Sequence, residues 1–166
     1  MPILDESTLE FLSRSPDQTR RVGARLGALL KAGDTLCLNG DLGAGKTTLV
    51  QGIAQGWGSP DPVTSPTFVL VNQYHRPDGQ QISHLDAYRL SDAVEAEDLD
   101  LEYLLENGPL IVEWPLRIMS ALPEAHIWVN LQYISEQQRM LLIKPSGSTY
   151  KNIVLQLRKQ IFSDLT

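Results

Sequence analysis

The sequence predicts a three-layer α/β fold with helices on both faces of a mixed sheet of parallel and antiparallel strands. A short apolar run at 35–38, a glycine-rich loop and a helical segment follow one another, which is the order of a strand–loop–helix unit. Two further strand-like segments flank Pro77-Asp78-Gly79, whose turn chemistry predicts an antiparallel hairpin. Parallel and antiparallel elements together favour a layered α/β domain.

Length and composition predict one domain over residues 1–166, and a hydrophobic fraction of 42% is sufficient for a core. The net charge of −6 argues against a nucleic-acid surface on the chain itself, since such a surface needs a basic patch. Cys37, the only cysteine, is expected to be a small buried hydrophobe. The sequence shows no basic leader and no apolar run near the ~18 residues of a membrane span, so a cytoplasmic protein without a membrane partner is expected.

The N-terminal part predicts a short strand at 8–12 and then a helix. Ser15 is expected to cap this helix, with Pro16 at its first position and Gln18 completing a capping box. Gly33 follows the expected end of the helix. Apolar side chains at helical spacing form the predicted buried face, namely Val22, Leu26, Leu29 and Leu30.

Residues 40–48 read Gly-Asp-Leu-Gly-Ala-Gly-Lys-Thr-Thr, which contains the phosphate-loop motif G-x-x-x-x-G-K-T. Glycines allow backbone N–H groups to turn towards a phosphate, and the helix beginning at Lys46 directs its positive end at the same anion. Lys46 is expected to reach the β- and γ-phosphates, and the Thr47 hydroxyl to ligate Mg²⁺. The predicted nucleotide-binding residues of the loop are Gly43, Ala44, Gly45, Lys46, Thr47 and Thr48. The fold is therefore predicted to be P-loop NTPase-like, with the nucleotide at the carboxyl ends of the strands.

The remaining elements are predicted from apolar runs bounded by turn residues. The loop helix is expected to bury Leu49, Ile53 and Val50. The other predicted elements are strands at 68–74, 81–86, 110–113, 127–131 and 139–143, an acidic and mostly helical segment at 91–106, and a final helix from 149 to about 162.

Two carboxylates follow predicted strands and compete for one role. Glu113 ends the apolar run Leu110-Ile111-Val112, the position of the acid that holds Mg²⁺ or orients a hydrolytic water in phosphate-loop enzymes. Asp86 ends another strand, and the sequence does not rank the two acids. Nearby, Arg89 is either an anion contact or an ordinary surface arginine, and His84 is expected to be structural rather than catalytic.

Two further features have open roles in the sequence. In switch-type nucleotide hydrolases a threonine after the loop helix senses the γ-phosphate through Mg²⁺. Thr64, Ser65 and Thr67 are candidates for this role, and a proline turn that starts a strand is the alternative. Trp114 either packs near the nucleotide or is a core residue.

Four segments, in this order, resemble the TsaE (YjeE) family over roughly residues 15–145. They are the loop at 40–48, Ser65-Pro66-Thr67-Phe68, His84-Leu85-Asp86-Ala87-Tyr88-Arg89 and Glu113-Trp114. The last two segments are the more restrictive because the loop is common to many families. The resemblance implies a bacterial ATPase needed to form N6-threonylcarbamoyladenosine at position 37 of tRNAs that read ANN codons.

The same resemblance implies partners and residue roles. TsaB and TsaD would carry out the transfer to adenine, and ATP hydrolysis by the TsaE-like protein would reset their complex between turnovers. Its activity alone would be low, and tRNA would be met indirectly through the complex. The implied roles are catalysis (Lys46, Thr67, Asp86, Glu113), ATP binding (Gly43 to Thr48, Trp114) and Mg²⁺ ligation (Thr47, Glu113).

Three other functions remain compatible with a phosphate loop. A small nucleoside or metabolite kinase would need an acceptor pocket and an arginine-bearing lid, and the 14 lysines and arginines form no suitable arginine cluster in the sequence. A GTP-binding switch would need Asn-Lys-x-Asp and Asp-x-x-Gly after the loop, and neither string occurs, which favours ATP. The third function is a scaffold that binds a nucleotide without hydrolysing it. It overlaps with the family expectation, because ATP hydrolysis by the protein alone would be low.

Overall fold

A mixed sheet forms the middle layer of the protein. The computed structural model describes residues 7–41, 43–64, 71–90 and 92–163. Within these ranges the strands are β1 (Leu9–Ser13), β2 (Thr35–Asn39), β3 (Val71–His75), β4 (Gln81–Asp86), β5 (Leu110–Glu113), β6 (His126–Tyr133) and β7 (Arg139–Ser146). The helices are α1 (Pro16–Leu29), α2 (Lys46–Trp57), α3 (Ala93–Glu97), α4 (Leu101–Asn107) and α5 (Lys151–Ser163), together with short 3₁₀ turns.

The strand order within the described residues is β1-β7-β6-β2-β5-β4-β3. β2 lies between β5 and β6 and runs parallel to both, and β4 runs parallel to β5. β3 pairs antiparallel with β4, while β7 pairs antiparallel with both β6 and β1. The predicted mixed sheet and the predicted hairpin are therefore confirmed. Because β2, β4, β5 and β6 point the same way, their carboxyl ends share one edge, where ligands bind in open α/β sheets.

Alternating side chains on β2 face two separate cores. Leu36 and Leu38 lie in one hydrophobic cluster with buried residues of α1, α2 and α5. Cys37 belongs to the second cluster, which includes Leu101 and Leu104 of α4. Helices thus cover both faces, and the three-layer prediction is confirmed. Burial raises the pKa of the Cys37 thiol to about 12, in agreement with a buried hydrophobe.

The helices α1 and α2 approach so closely that only glycine fits between their backbones. A Cβ added at Gly27 would lie 2.1 Å from the Ile53 carbonyl oxygen, and one added at Gly56 would lie 2.0 Å from the Ala24 carbonyl oxygen. These distances are far inside van der Waals contact. The contact places α1 directly against the helix that starts at the phosphate loop. The apolar spacing of α1 predicted a buried face but not this backbone contact.

The N-terminus of α1 differs from its prediction in one detail. Ser15 caps the helix, with its Oγ accepting from the Gln18 N–H at 3.2 Å, and Pro16 is the first helical residue, as predicted. The Gln18 Oε1, however, accepts from the N–H of Arg14 at 2.8 Å rather than from that of Ser15. The return bond of the predicted capping box is therefore shifted by one residue, from the N–H of Ser15 to that of Arg14.

The acidic segment predicted at 91–106 forms two helices rather than one continuous helix. Asp100 lies between them with a left-handed φ of 51°. Its carboxylate accepts from the Tyr103 N–H and so caps α4. The break turns Leu101 and Leu104 towards the second core cluster.

The C-terminal part completes the layer that contains α1 and α2. Val154, Leu157 and Ile161 of α5 are buried, and Ile153 packs against the same cluster. The two C-terminal strands, β6 and β7, extend beyond their predicted ends. Within the described ranges, no helix is both long enough and apolar enough to cross a membrane.

Candidate functional site

The phosphate loop connects β2 to α2 at the carboxyl edge of the sheet. Gly43 and Gly45 have φ values of 80° and 98°, in the left-handed region that glycine adopts without strain. The Ala44 N–H donates to the Asp41 carbonyl oxygen at 3.0 Å and closes a tight turn. Because α2 begins at Lys46, the N–H groups of its first turn are directed at the loop.

A cavity of about 310 Å³ opens beside this loop. This volume is at the lower end of the roughly 300–1,000 Å³ typical of small-molecule sites. The lining comes from the loop, α2, the ends of two strands and the start of a third, namely Gly43, Gly45, Lys46, Thr47, Thr48, Asp86, Glu113, Trp114 and Arg139. Of the predicted site residues that the structure describes, only Ala44 is not in this lining. The Ala44 side chain is buried in the first core cluster, and Thr67 lies outside the described residues.

Lys46 is a nearly buried cation in the wall of the cavity, with 7% of the residue exposed. Its Nζ donates to the Gly40 carbonyl oxygen at 2.7 Å and lies 3.8 Å from Glu113 Oε1. Burial lowers the pKa of Lys46, while the charges of Glu113, Asp86 and Asp41 raise it by smaller amounts. An ammonium carries three protons, so the bond to Gly40 leaves protons for the oxygens of an anion in the cavity.

The two predicted acids lie side by side. Asp86 and Glu113 are register partners at the ends of the parallel strands β4 and β5, and both line the cavity. Glu113 is 4% exposed, whereas Asp86 is half-buried and accepts from the Tyr88 N–H at 3.0 Å. The sequence did not rank these acids; the structure places Glu113 deeper and within 3.8 Å of Lys46.

Glu113 has a second partner, which contacts its other carboxylate oxygen. Its Oε2 lies 2.7 Å from His84 Nε2, and His84 Nδ1 lies 2.7 Å from the Tyr74 hydroxyl. Both partners are buried. Burial raises the pKa of Tyr74 to about 12, and the charge of Glu113 contributes in the same direction, so the hydroxyl stays protonated near neutral pH. A structural role for His84 was predicted, but no feature of the sequence pairs it with Glu113 or Tyr74.

Trp114 both lines the cavity and packs against the second core cluster. Its ring centroid lies 4.3 Å from Lys46 Nζ, within cation–π distance, and its ring packs against Tyr88 at 5.1 Å between centroids. Trp114 has a φ of 57°, which is uncommon for a residue with a side chain. This conformation ends β5 and lets the indole lie over Lys46. Of the two roles that the sequence left open, packing against the core is observed, and the role beside a nucleotide stays a prediction.

Arg139 lines the cavity but was predicted only as the start of a strand. A Cβ added at Gly45 would lie 3.5 Å from Arg139 Cγ. The Arg139 Nη1 donates to the carbonyl oxygens of Ser135 and Gln138 at 2.6 and 2.9 Å, and the guanidinium lies 4.6 Å from the Tyr133 ring centroid. Among the described residues, its buried Nε has no hydrogen-bond partner. A single arginine at the start of a strand belongs to no recognisable motif, so the sequence does not predict that Arg139 reaches the cavity. Its position there depends on the turn from β6 to β7.

The sequence matches a known family over most of its length. The family model described as Threonylcarbamoyl adenosine biosynthesis protein TsaE matches residues 13–141. The chain belongs to the TsaE family. It is 35% identical over 153 residues to the tRNA threonylcarbamoyladenosine biosynthesis protein TsaE of Bacillus subtilis, covering 91% of this chain and 94% of that protein. It is 39% identical over 157 residues to the protein of the same name from a Nostoc species, with the same coverage of 91% and 94%.

The fold agrees with membership of the TsaE family. The crystal structure of Bacillus subtilis YdiB matches with a TM-score of 0.76 and 28% sequence identity, over 96% of this chain and 99% of that chain. The predicted family resemblance and the predicted P-loop NTPase-like α/β fold are both confirmed.

The oxygen groups of this TsaE-family cavity fit Mg²⁺. The side chains of Thr47, Asp86 and Glu113 supply hydroxyl and carboxylate oxygens in its wall. Mg²⁺ in nucleotide sites takes one or two protein carboxylates together with phosphates and water. Within the described part of the chain, no three His, Cys, Asp or Glu residues form a cluster that could hold a metal ion. The donor set therefore fits Mg²⁺ that is bound together with a nucleotide.

Proposed function

We propose that this protein is a Mg²⁺-dependent ATPase that supports formation of N6-threonylcarbamoyladenosine at position 37 of tRNAs reading ANN codons, acting with TsaB and TsaD. The observation that carries the proposal is the cavity where Lys46, Asp86 and Glu113 meet at a phosphate loop, in a chain of the TsaE family. The names of the curated relatives place those proteins in the same tRNA modification. Residues 1–166 would act as a single P-loop ATPase domain.

The phosphates of ATP would be held by one buried cation and by backbone donors. Lys46 would direct its ammonium to the β- and γ-phosphate oxygens, and its low exposure would strengthen this interaction. The N–H groups at the start of α2 would donate to the phosphate that the loop surrounds. Arg139, in the same lining, would add a second positive charge.

Thr47 and Glu113 are the proposed protein ligands of Mg²⁺, with Glu113 binding directly or through water. When bound, Mg²⁺ would neutralise charge on the β- and γ-phosphates during transfer to water. Asp86 would orient the attacking water from the neighbouring strand. The pairing of Asp86 with Glu113 across β4 and β5 supports this division, because two adjacent carboxylates can face the metal and the water separately.

The acidic balance supports an indirect relation to RNA. With a net charge of −6, the chain lacks the basic balance that phosphate-backbone binding requires. In the proposed complex, TsaB and TsaD would hold the tRNA, and this protein would contribute ATP turnover through protein contacts.

Phosphate release from ATP, measured for the purified chain with and without TsaB and TsaD, tests the proposal. We expect weak release by the chain alone, strong stimulation by the partners, and loss of the stimulated rate when EDTA removes Mg²⁺. Modification of tRNA over several turnovers should require the chain. Phosphate transfer to a nucleoside or metabolite, or multiple-turnover modification without the chain, would contradict the proposal.

Trp114 fluorescence is expected to change when ADP or ATP binds, because the indole lies 4.3 Å from the proposed phosphate-binding ammonium of Lys46. The chain has three tryptophans, so a Trp114→Phe variant should remove the response and a Trp57→Phe variant should keep it. Trp57 is a suitable control because it lies at the far end of α2. An unchanged emission spectrum, with binding measured by calorimetry, would contradict the placement of the nucleotide beside Trp114.

A further inference from the structure

A chain of buried hydrogen bonds leads from the cavity towards the edge of the sheet. Glu113 Oε2 lies 2.7 Å from His84 Nε2, and His84 Nδ1 lies 2.7 Å from the Tyr74 hydroxyl. The same hydroxyl lies 3.4 Å from the Thr64 carbonyl oxygen. The three side chains come from the neighbouring strands β5, β4 and β3, and each of these residues is at most 4% exposed. The three buried side chains therefore link three neighbouring strands of the seven-stranded sheet.

One neutral tautomer of His84 satisfies both of its contacts. With its proton on Nε2, the imidazole donates to the Glu113 carboxylate, which can only accept when ionised. The unprotonated Nδ1 then accepts from the Tyr74 hydroxyl. Hydrogen bonds of this kind are strengthened in a buried environment, so the imidazole is held in one orientation between its two neighbours.

The histidine uses one oxygen of Glu113 and leaves the other directed at the cavity. Oε2 contacts His84, while Oε1 lies 3.8 Å from Lys46 Nζ. A carboxylate without the histidine would be free to rotate about its last torsion, which has broad minima. Hydrogen bonds from outer groups are known to orient metal-binding side chains in this way.

We propose that His84 and Tyr74 are positioning residues that determine which oxygen of Glu113 faces Mg²⁺ and the phosphates. The inference rests on the proposed function, because it concerns the carboxylate assigned there to Mg²⁺. Neither residue is among the described residues that line the cavity, so both act through Glu113. A merely structural role would affect stability but not metal affinity.

Two amide substitutions of His84 separate its two contacts. In His84→Gln the side-chain amide nitrogen takes the place of Nε2 and can still donate to Glu113. In His84→Asn the shorter amide takes the place of Nδ1 and can contact only Tyr74. We expect the Mn²⁺ concentration for half-saturation, measured by electron paramagnetic resonance with ADP present, to rise about 10–100-fold in His84→Asn and much less in His84→Gln.

Tyr74→Phe provides a second test that removes only one buried oxygen. We expect Tyr74→Phe to raise the half-saturating Mn²⁺ concentration less than His84→Asn does. In Tyr74→Phe, His84 keeps its hydrogen bond to Glu113 and loses only the hydrogen bond from the Tyr74 hydroxyl. Tyr150→Phe is the matched control, since the Tyr150 hydroxyl is also buried and donates to Asp34 at 3.0 Å in another hydrogen bond. This control should lower the thermal midpoint without changing Mn²⁺ affinity.

The outcomes separate this inference from the proposed function. If the wild-type chain hydrolyses ATP with TsaB and TsaD while His84→Asn binds Mn²⁺ as the wild type does, the positioning role is wrong and the proposed function stands. Equal losses of Mn²⁺ affinity in His84→Asn and His84→Gln would also contradict positioning through Glu113. A wild-type chain that binds Mn²⁺ with ADP but does not hydrolyse ATP would contradict the proposed function alone. A wild-type chain that binds no Mn²⁺ would contradict both.

Discussion

Lys46→Ala is expected to lower partner-stimulated ATP hydrolysis by about 10²–10³-fold, a loss of ~3–4 kcal/mol of transition-state stabilisation. The Lys46 ammonium is the nearly buried cation of the cavity, and it lies 3.8 Å from Glu113 Oε1. Without it, the charge developing on the γ-phosphate would lose its closest protein counter-charge. The measurement is phosphate release from ATP in the presence of TsaB and TsaD, at several ATP concentrations, so that kcat and KM are obtained separately.

Lys144→Ala is the matched control for this loss. Lys144 is an exposed lysine of β7 and is not part of the cavity lining, so its removal changes the net charge by the same amount and should leave turnover unchanged. Thermal unfolding of both variants shows whether the fold is retained. If the Lys46→Ala protein folds and turns over ATP at the wild-type rate, Lys46 is not a catalytic residue and the cavity that it lines is not the catalytic site.

Glu113→Gln is expected to lower Mg²⁺-dependent turnover by about 10²-fold and to raise the Mg²⁺ concentration required for half of the maximal rate. The amide keeps the size of the side chain, and its oxygen can still accept from His84, so the thermal midpoint should change little. The substitution removes the negative charge that would hold the metal. Initial rates over a series of Mg²⁺ concentrations, at saturating ATP, give both quantities.

Asp86→Asn is the comparison that ranks the two acids. If Asp86 orients the attacking water, the variant should lose kcat while its Mg²⁺ requirement stays close to that of the wild type. A normal Mg²⁺ requirement in Glu113→Gln together with a raised one in Asp86→Asn would reverse the proposed assignment. The two carboxylates are register partners on adjacent strands, so the comparison is made at nearly the same position in the cavity.

Much of the cavity could be predicted because its parts are local in the chain. The phosphate loop depends on consecutive residues, and the positive φ values of Gly43 and Gly45 are those that the motif requires. Glu113 ends a strand whose four residues are all buried, which an apolar run predicts well. Thr67, by contrast, stays a prediction because it lies outside the described residues.

Residues without a local signal were missed. Arg139 reaches the cavity only because β7 turns back along β6, and a single arginine gives no indication of that path. The link from Glu113 through His84 to Tyr74 likewise depends on three strands lying side by side. His84 and Glu113 are 29 residues apart in the chain, so no periodicity relates them.

The sequence alone therefore determined the phosphate loop, the layered α/β class, the two candidate acids and the resemblance to the TsaE family. These features depend on residue types at short spacing, where backbone conformation and side-chain chemistry are set by near neighbours. The tertiary structure decided that Glu113 is the deeper acid, that Trp114 covers Lys46 and that α1 contacts α2 backbone to backbone. Those features depend on strand order and helix separation, which follow from burying both apolar faces of the sheet at once and are not encoded in any single segment.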